Sequence, residues 1–237
     1  MGRKYLVRKE SMQKTHLKRS KLFARYGKAI YMRARQGGTN LESNDALKHL
    51  IERAKKDDVP NDIIERNLKK AEEKGAEEYE EVRYEGFGPG GSAFLIDALS
   101  DNVNRTVSDV RYCFTKVGSK LGVRGAVEHL YDHLSYITVE GSDEESVLET
   151  IIAHELDAHE IEATDEGVSI VADGKMQDKL EKALRSEGFV IGDSESGWYP
   201  KTRVRLNDED YEAFETFMRL INDLDDIQAV YHNVELK

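Results

Sequence analysis

One cysteine in 237 residues excludes an intramolecular disulfide and any cysteine-rich zinc site. That residue, Cys113, falls in a helix-like stretch among apolar neighbours, where a thiol serves as a small packing group. No apolar run approaches the roughly 18 residues that a membrane helix needs, so no span is expected. The beginning of the chain has no apolar signal core, and Met1-Gly2-Arg3-Lys4-Tyr5-Leu6 lacks the Ser or Thr that a myristoylation signal carries at its sixth position. An Arg-rich, acid-poor start also resembles an organelle transit peptide, but such segments are removed rather than kept as structure. The expectation is a cytoplasmic protein with no membrane contact. Residues of either charge make up 34% of the chain and hydrophobic residues 39%, enough for a core in each of two or three modules.

Acids are missing from one place. The first 36 residues hold 12 Lys and Arg and a single acid, Glu10, although the whole chain carries a net charge of −11. A cationic arm is thus attached to an anionic body. Concentrated positive charge attracts polyphosphate by releasing its counterions, whereas an acidic body is repelled by it. Residues 1–85 have 21 basic and 15 acidic residues, residues 86–135 five of each, and residues 136–237 nine and 26.

Periodicity changes with charge. Leu22, Phe23, Tyr26 and Ile30, then Leu47, Leu50, Ile51 and Ala54, then Ile63, Ile64, Leu68 and Ala71 recur at helical spacing and predict three helices. Gly37-Gly38 ends the first, Ser43 or Asn44 caps the second, Pro60 opens the third and Gly75 closes it. From Val82 the pattern is strand-like: Val82 to Phe87, a turn at Gly88-Pro89-Gly90-Gly91, and Ser92 to Leu99 read as a hairpin, followed by a helix from about Arg105 to Lys116. Strand 137–140, helix 144–154, strand 158–163, strand 168–171, helix 176–187 and strand 189–191 follow in the order βαββαβ, the ferredoxin-like split motif. Strand 203–206, helix 209–224 and strand 228–236 are too little to fold alone but complete the earlier hairpin and helix. The expected fold is multi-domain, α and α+β. It comprises a basic helical domain at 1–78, a discontinuous middle domain at 79–134 and 200–237, and an acidic ferredoxin-like domain at 135–199 inserted into the middle one.

Two basic features are candidate nucleic-acid contacts. Lys14, Lys18, Lys21, Arg25, Lys28 and Arg35 lie on one face of the first helix, apart from its apolar residues, and should form an exposed stripe. An ordinary solvated face intersperses acids as i,i+4 partners, and this one has none between Glu10 and Glu42. Lys116, Lys120 and Arg124 alternate with Gly118, Gly122 and Gly125, so the backbone could approach a ligand while the cations touch phosphate; a flexible linker is an equal reading. The stretch is no Walker loop, since no Gly-Lys-Ser/Thr follows the glycines, and Gly86-Phe87-Gly88-Pro89-Gly90-Gly91 reads as a turn rather than a dinucleotide-binding loop.

Catalytic patterns fail on geometry. His154 and His159 are five apart rather than four and straddle a helix end, and His129 and His133 have no evident third ligand, with Tyr131 and Asp132 fitting a surface turn. No Ser-His-Asp or Cys-His constellation stands above chance. Neither an enzymatic activity, a metal, a cofactor nor a small-molecule substrate is expected.

Three long motifs in order then carry a resemblance over almost the whole chain: Tyr84-Glu-Gly-Phe-Gly-Pro-Gly-Gly91; Asp101-Asn-Val-Asn-Arg-Thr106 with Val110-Arg111; and Asp223-Leu-Asp-Asp-Ile-Gln-Ala-Val-Tyr-His-Asn233. With the basic start they closely resemble the YebC/PmpR family, and Gly2-Arg-Lys-Tyr with Lys9-Glu10 is similar to its YeeN-like branch. The glycine loop departs from the family pattern Lys-Asn-Gly-Gly-Asn-Leu-Gly and Gly-Ser-Val: Val117, Ser119 and Lys120 replace Asn, Gly and Asn, and Ala126 replaces Ser. The resemblance implies a three-domain fold and a DNA-binding regulator of transcription, while mitochondrial relatives act as translational activators and some bacterial ones as ribosome-associated factors. The stripe has few Asn or Gln to read bases, which by itself points to backbone contact with DNA or rRNA. A protein-interaction scaffold is the remaining class, and it predicts no salt-sensitive binding of nucleic acid.

Overall fold

The computed structural model describes residues 19–73, 79–165 and 167–236, and Gly75 lies outside them. These residues fall into two compact units, one ending at Glu128 and resuming from Val204 to Glu235, the other running from His129 to Arg203.

The first unit begins with α1 (Arg19–Gly37), α2 (Asp45–Lys56) and α3 (Asn61–Glu72). Asn44 caps α2: its side-chain oxygen accepts from the Leu47 N–H at 3.1 Å, satisfying one of the donors a helix start leaves open. Pro60, fixed at φ −59°, stands directly ahead of α3. The apolar stripes named by helical spacing meet, with Ile30, Tyr31, Leu47, Ile51, Ala54 and Ile64 buried together.

A sheet of order β3-β1-β2-β8 follows, built from β1 (Glu80–Phe87), β2 (Ala93–Ser100), β3 (Lys120–Leu121) and β8 (Ile227–His232), all antiparallel. Helices α4 (Val103–Lys116) and α7 (Asp208–Asn222) supply its aromatic core. The Phe217 ring lies 4.6 Å from that of Phe94 and 4.7 Å from that of Phe114, and all three are fully buried. This packing explains two glycines of the hairpin. A Cβ at Gly86 would stand 2.6 Å from the Phe114 ring, and one at Gly88 2.3 Å from the Phe94 ring. These glycines make room for aromatic rings rather than for a ligand. The strand expected at 203–206 is reduced to a single parallel bridge, Val204 with Val234, before Asn207 caps α7.

The second unit is a sheet of order β5-β6-β4-β7, again antiparallel, with helices α5 (Glu144–Ala153) and α6 (Gln177–Ser186). Strands β4 (Tyr131–Glu140), β5 (Glu160–Thr164), β6 (Gly167–Asp173) and β7 (Val190–Pro200) complete the βαββαβ order. Ile137, Val139, Val147, Ile151, Ile170, Leu180 and Leu184 form its core. Two strands outrun their sequence signal. Tyr131 and Asp132, read as a surface turn, open β4, with Tyr131 buried and Asp132 exposed. Gly192-Asp-Ser-Glu-Ser-Gly197 has loop composition, yet it continues β7: Ser194 to Gly197 pair with Leu134 to Ile137 of β4 and Gly192-Asp193 form a bulge opposite Thr138, cross-strand pairing overriding weak propensity. His133 lies opposite Trp198 with ring centroids 4.8 Å apart.

Candidate nucleic-acid interface

The cationic face of α1 is turned inward at Lys21, Arg25 and Lys28. Lys14 and Lys18 lie outside the described residues. Lys21 donates to the Asp223 carboxylate at 2.8 Å and to the Asn222 carbonyl at 3.3 Å, at the end of α7. Arg25 reaches the Asn222 side-chain oxygen at 3.4 Å, and its burial lowers the guanidinium pKa to about 10. Lys28 donates to the Asp226 carboxylate at 2.8 Å and to the Asp225 carbonyl at 3.1 Å. At i, i+4 and i+7 these side chains form one row, and the row docks on the turn after α7. The expectation of an exposed stripe is therefore corrected for Lys21, Arg25 and Lys28. The acids missing from the local sequence are supplied by a turn about 200 positions away. Arg35 is exposed but engaged, donating to the Ala71 carbonyl in the last turn of α3 at 3.1 Å.

Asp226 is the centre of this docking. Its side chain, 9% exposed, accepts from Lys28 on one oxygen and from Arg105 (2.8 Å) and Thr106 (2.7 Å) on the other. Arg105 also reaches Asp101 at 2.7 Å, and Thr106 lies 2.6 Å from the Ser100 hydroxyl. Burial alone would raise the Asp226 pKa, but the bonds from Lys28, Thr106 and Arg105 outweigh it and hold the carboxyl down at about 2. The node joins residues of two of the quoted motifs, Asp101–Thr106 and Asp223–Asn233, to the first helix. None of these roles was read from the sequence. The signal available was the density of Asp, Asn and Arg in motifs with no catalytic spacing.

The glycine-containing segment behaves differently. It is neither a flexible linker nor an open phosphate cradle, because its amides are already used. Glu85, 2% exposed on β1, accepts from the N–H groups of Gly125 (2.6 Å), Val127 (2.8 Å) and Glu128 (3.0 Å), while its carbonyl accepts from Gly122 (2.7 Å). Burial would raise the Glu85 pKa, and these backbone bonds more than reverse it, so the carboxyl stays below its ordinary value. A carboxylate of the protein thus fills the nest of N–H groups that could have held an anion. Gly118 and Ser119 turn the chain back with bonds to the Thr115 and Phe114 carbonyls.

Charge on this segment remains available. Lys116, Lys120 and Arg124 are exposed, as is Arg111 five residues earlier on α4, and the sequence has no acid between Asp109 and Glu128. Among the described residues none of these four enters an ion pair. The structure thus places Lys116, Lys120 and Arg124 on one pinned surface segment, and their exposed surroundings differ from those of Lys21, Arg25 and Lys28. Of the remaining candidates, Cys113 is 2% exposed in α4, where burial raises its thiol pKa to about 11. His154 ends α5 and His159 lies beyond it. Among the described residues no group of three or more His, Cys, Asp or Glu is placed to hold a metal ion, and no helix is long and apolar enough to cross a membrane.

Comparison with known proteins resolves the family. Residues 3–74 match the family model described as the TACO1/YebC protein N-terminal domain, and residues 79–234 match that of the TACO1/YebC second and third domain. The chain belongs to the TACO1/YebC family. Relatives extend along its full length. A protein of Vibrio parahaemolyticus is 44% identical over 238 residues, covering all of both chains, and one of Marinobacter nauticus is 42% identical, covering 100% of this chain and 99% of its own. A third, of Alteromonas mediterranea, is 41% identical over 98% of each chain. All three are named probable transcriptional regulatory proteins. The crystal structure of a conserved hypothetical protein from Aquifex aeolicus is similar with a TM-score of 0.71 and 35% identity, covering 92% of this chain and 91% of that one. The TACO1/YebC motifs quoted above coincide with parts of the molecule that hold it together: the Gly86–Gly91 hairpin, the Asp101–Thr106 helix start and the Asp223–Asp226 turn.

Proposed function

We propose that this protein is a non-enzymatic, cytoplasmic regulator of gene expression that grips nucleic-acid backbone with the side chains of Arg111, Lys116, Lys120 and Arg124. The observation that carries this reading is the exposure of four cations on an acid-free segment whose fold is fixed from beneath by Glu85. Side-chain cations on a pinned surface position phosphate, and they carry no base sequence by themselves. The names of the relatives support a role in regulating transcription, and in that reading we take DNA as the partner.

A second reading, a ribosome-associated translation factor on rRNA, is favoured by a specific observation. The α1 row that could have followed a long duplex is occupied by Asp223 and Asp226, leaving a short contact suited to a local feature of a folded RNA. In either case affinity should fall with salt. Four phosphate contacts predict a loss of about 10²-fold on duplex DNA between about 50 and 200 mM salt. The triple substitution Lys116→Glu, Lys120→Glu, Arg124→Glu should abolish binding measured by fluorescence anisotropy while leaving the unfolding midpoint nearly unchanged. Binding that survives it would remove the assignment. Footprinting at a promoter, compared with cosedimentation on ribosomes, separates the two partners.

A further inference from the structure

We propose that Phe87 and Lys120 form a stacking site for an unpaired nucleobase, with Arg124 holding an adjacent phosphate. The proposal rests on the nucleic-acid reading above and names the form of nucleic acid that the surface fits.

Strand register sets the geometry. Gly86 faces Phe114 and the helical layer, so in a strand whose side chains alternate, Phe87 faces the opposite side of the sheet. Phe87 and Lys120 are Cα partners across the β1–β3 pair, and residues directly opposite in a ladder project to the same side with Cβ atoms about 5 Å apart. Phe87 is 46% exposed, although the other phenylalanines of this sheet and its helices, Phe94, Phe114, Phe214 and Phe217, are buried. Immediately beyond β3 the chain makes a turn from Val123 to Ala126, closed by a 3.1 Å bond, with Gly125 at φ +83°. Gly122 and Gly125 are bonded to Glu85, two positions before Phe87, which keeps Arg124 at the same sheet edge. Val123 in that turn is 79% exposed.

A single exposed apolar residue is ordinary on a protein surface. Here a ring lies beside a cation on the same strand pair, and a second cation sits on a turn whose position is fixed. A planar, apolar face flanked by positive charge matches a base with its phosphates. A duplex offers no such face, since its bases are already stacked on each other, whereas an unpaired nucleotide does. A peptide strand added to this edge is a poor alternative, because β3 provides only the two residues Lys120 and Leu121 as a ladder.

The test uses the full chain and two fluorescein-labelled RNA probes at low salt, a single-stranded oligoadenylate of about 12 nucleotides and a duplex of similar length. Phe87→Ala and Phe87→Leu should weaken binding of the single strand by about 5- to 150-fold, the range expected for loss of one base–aromatic stack. Phe87→Tyr should retain it, and duplex affinity should stay within about two-fold throughout. An oligonucleotide with abasic sites should bind the wild-type protein as weakly as the intact probe binds Phe87→Ala. If Phe87→Ala keeps its single-strand affinity while Lys120→Glu with Arg124→Glu abolishes it, the phosphate contacts stand and the stacking site is wrong. If the double charge reversal changes neither probe, the nucleic-acid reading fails and the stacking site with it.

Discussion

Two cationic regions of the first unit carry similar charge and meet opposite fates. On α1, Lys21, Arg25 and Lys28 are drawn onto the turn after α7, where Asp223, Asp226 and open carbonyls receive them. At the end of α4 and on the segment after it, Lys116, Lys120 and Arg124 stay in solvent, and the Glu85 carboxylate is spent on the backbone N–H groups of that segment. Density of charge along the sequence is the same kind of signal in both places. What separates them is whether the fold brings carboxylates to the side chains. A basic stripe is therefore a statement about affinity only when no acidic turn elsewhere in the chain is shaped to meet it. The first row acts as a docking surface for the helices and the second remains a candidate binding surface.

The largest effect that would break this comparison lies at Asp226. Replacing it with Ala leaves Lys28, Arg105 and Thr106 without a shared acceptor in a site where the carboxylate is 9% exposed. Removing the buried member of such a network costs about 3 kcal/mol, because Thr106 and Lys28 lose their acceptor where little water replaces it, whereas Arg105, 48% exposed, keeps Asp101. Urea denaturation should show a loss of that order for Asp226→Ala, with Lys28→Met largely non-additive to it. A loss below about 1 kcal/mol would mean that the α1 row is held loosely enough to be free for a ligand.

Acid should have a smaller effect through the same group. The folded-state pKa of Asp226 is depressed to about 2 from an ordinary value near 3.8. Its stabilising contribution is fully present above about pH 4 and is lost as the pH falls through about 2, amounting to roughly 2 kcal/mol. Glu85 is also depressed and adds in the same direction. The stability difference between wild type and Asp226→Asn should therefore narrow from pH 5 toward pH 2, by about the contribution given. A difference independent of pH over that range would show that hydrogen-bond geometry, rather than charge, holds the turn to α1.

Local order was legible in the sequence wherever one element carried its own signal. Leu47, Ile51 and Ala54 named the buried face of α2, Asn44 its cap, and Gly88 to Gly91 the hairpin turn. The split βαββαβ order was legible for the same reason, although the sequence signal of β7 ends at Ile191, because Ser194, Glu195 and Ser196 pair along β4 on the strength of their neighbours. The site was less legible. Lys116, Lys120 and Arg124 could be named from charge, but Glu85 could not be recognised as the anion that fills their loop, because it lies about 40 positions upstream in a strand of acids. Pairing between distant charges leaves no periodic trace.

The smallest expected effect concerns the outer end of the α1 row and sharpens the comparison most. Lys21 and Asp223 form a 2.8 Å pair, but the Asp223 side chain is 70% exposed and that of Lys21 is 25% exposed. Water screens such a pair, and ordering two long side chains costs entropy, so Lys21→Ala should destabilise by less than about 1 kcal/mol. Part of that remainder comes from the Asn222 carbonyl at the end of α7, where a cation also meets the negative end of the helix dipole. Added salt should therefore erase most of the Lys21→Ala effect while leaving that of Asp226→Ala nearly intact, since the Debye length of about 8 Å at physiological ionic strength screens exposed pairs far more than buried ones. If salt reduced both equally, the row would be docked by general attraction along α1, and the distinction between a buried node at Asp226 and a solvated pair at Asp223 would be lost.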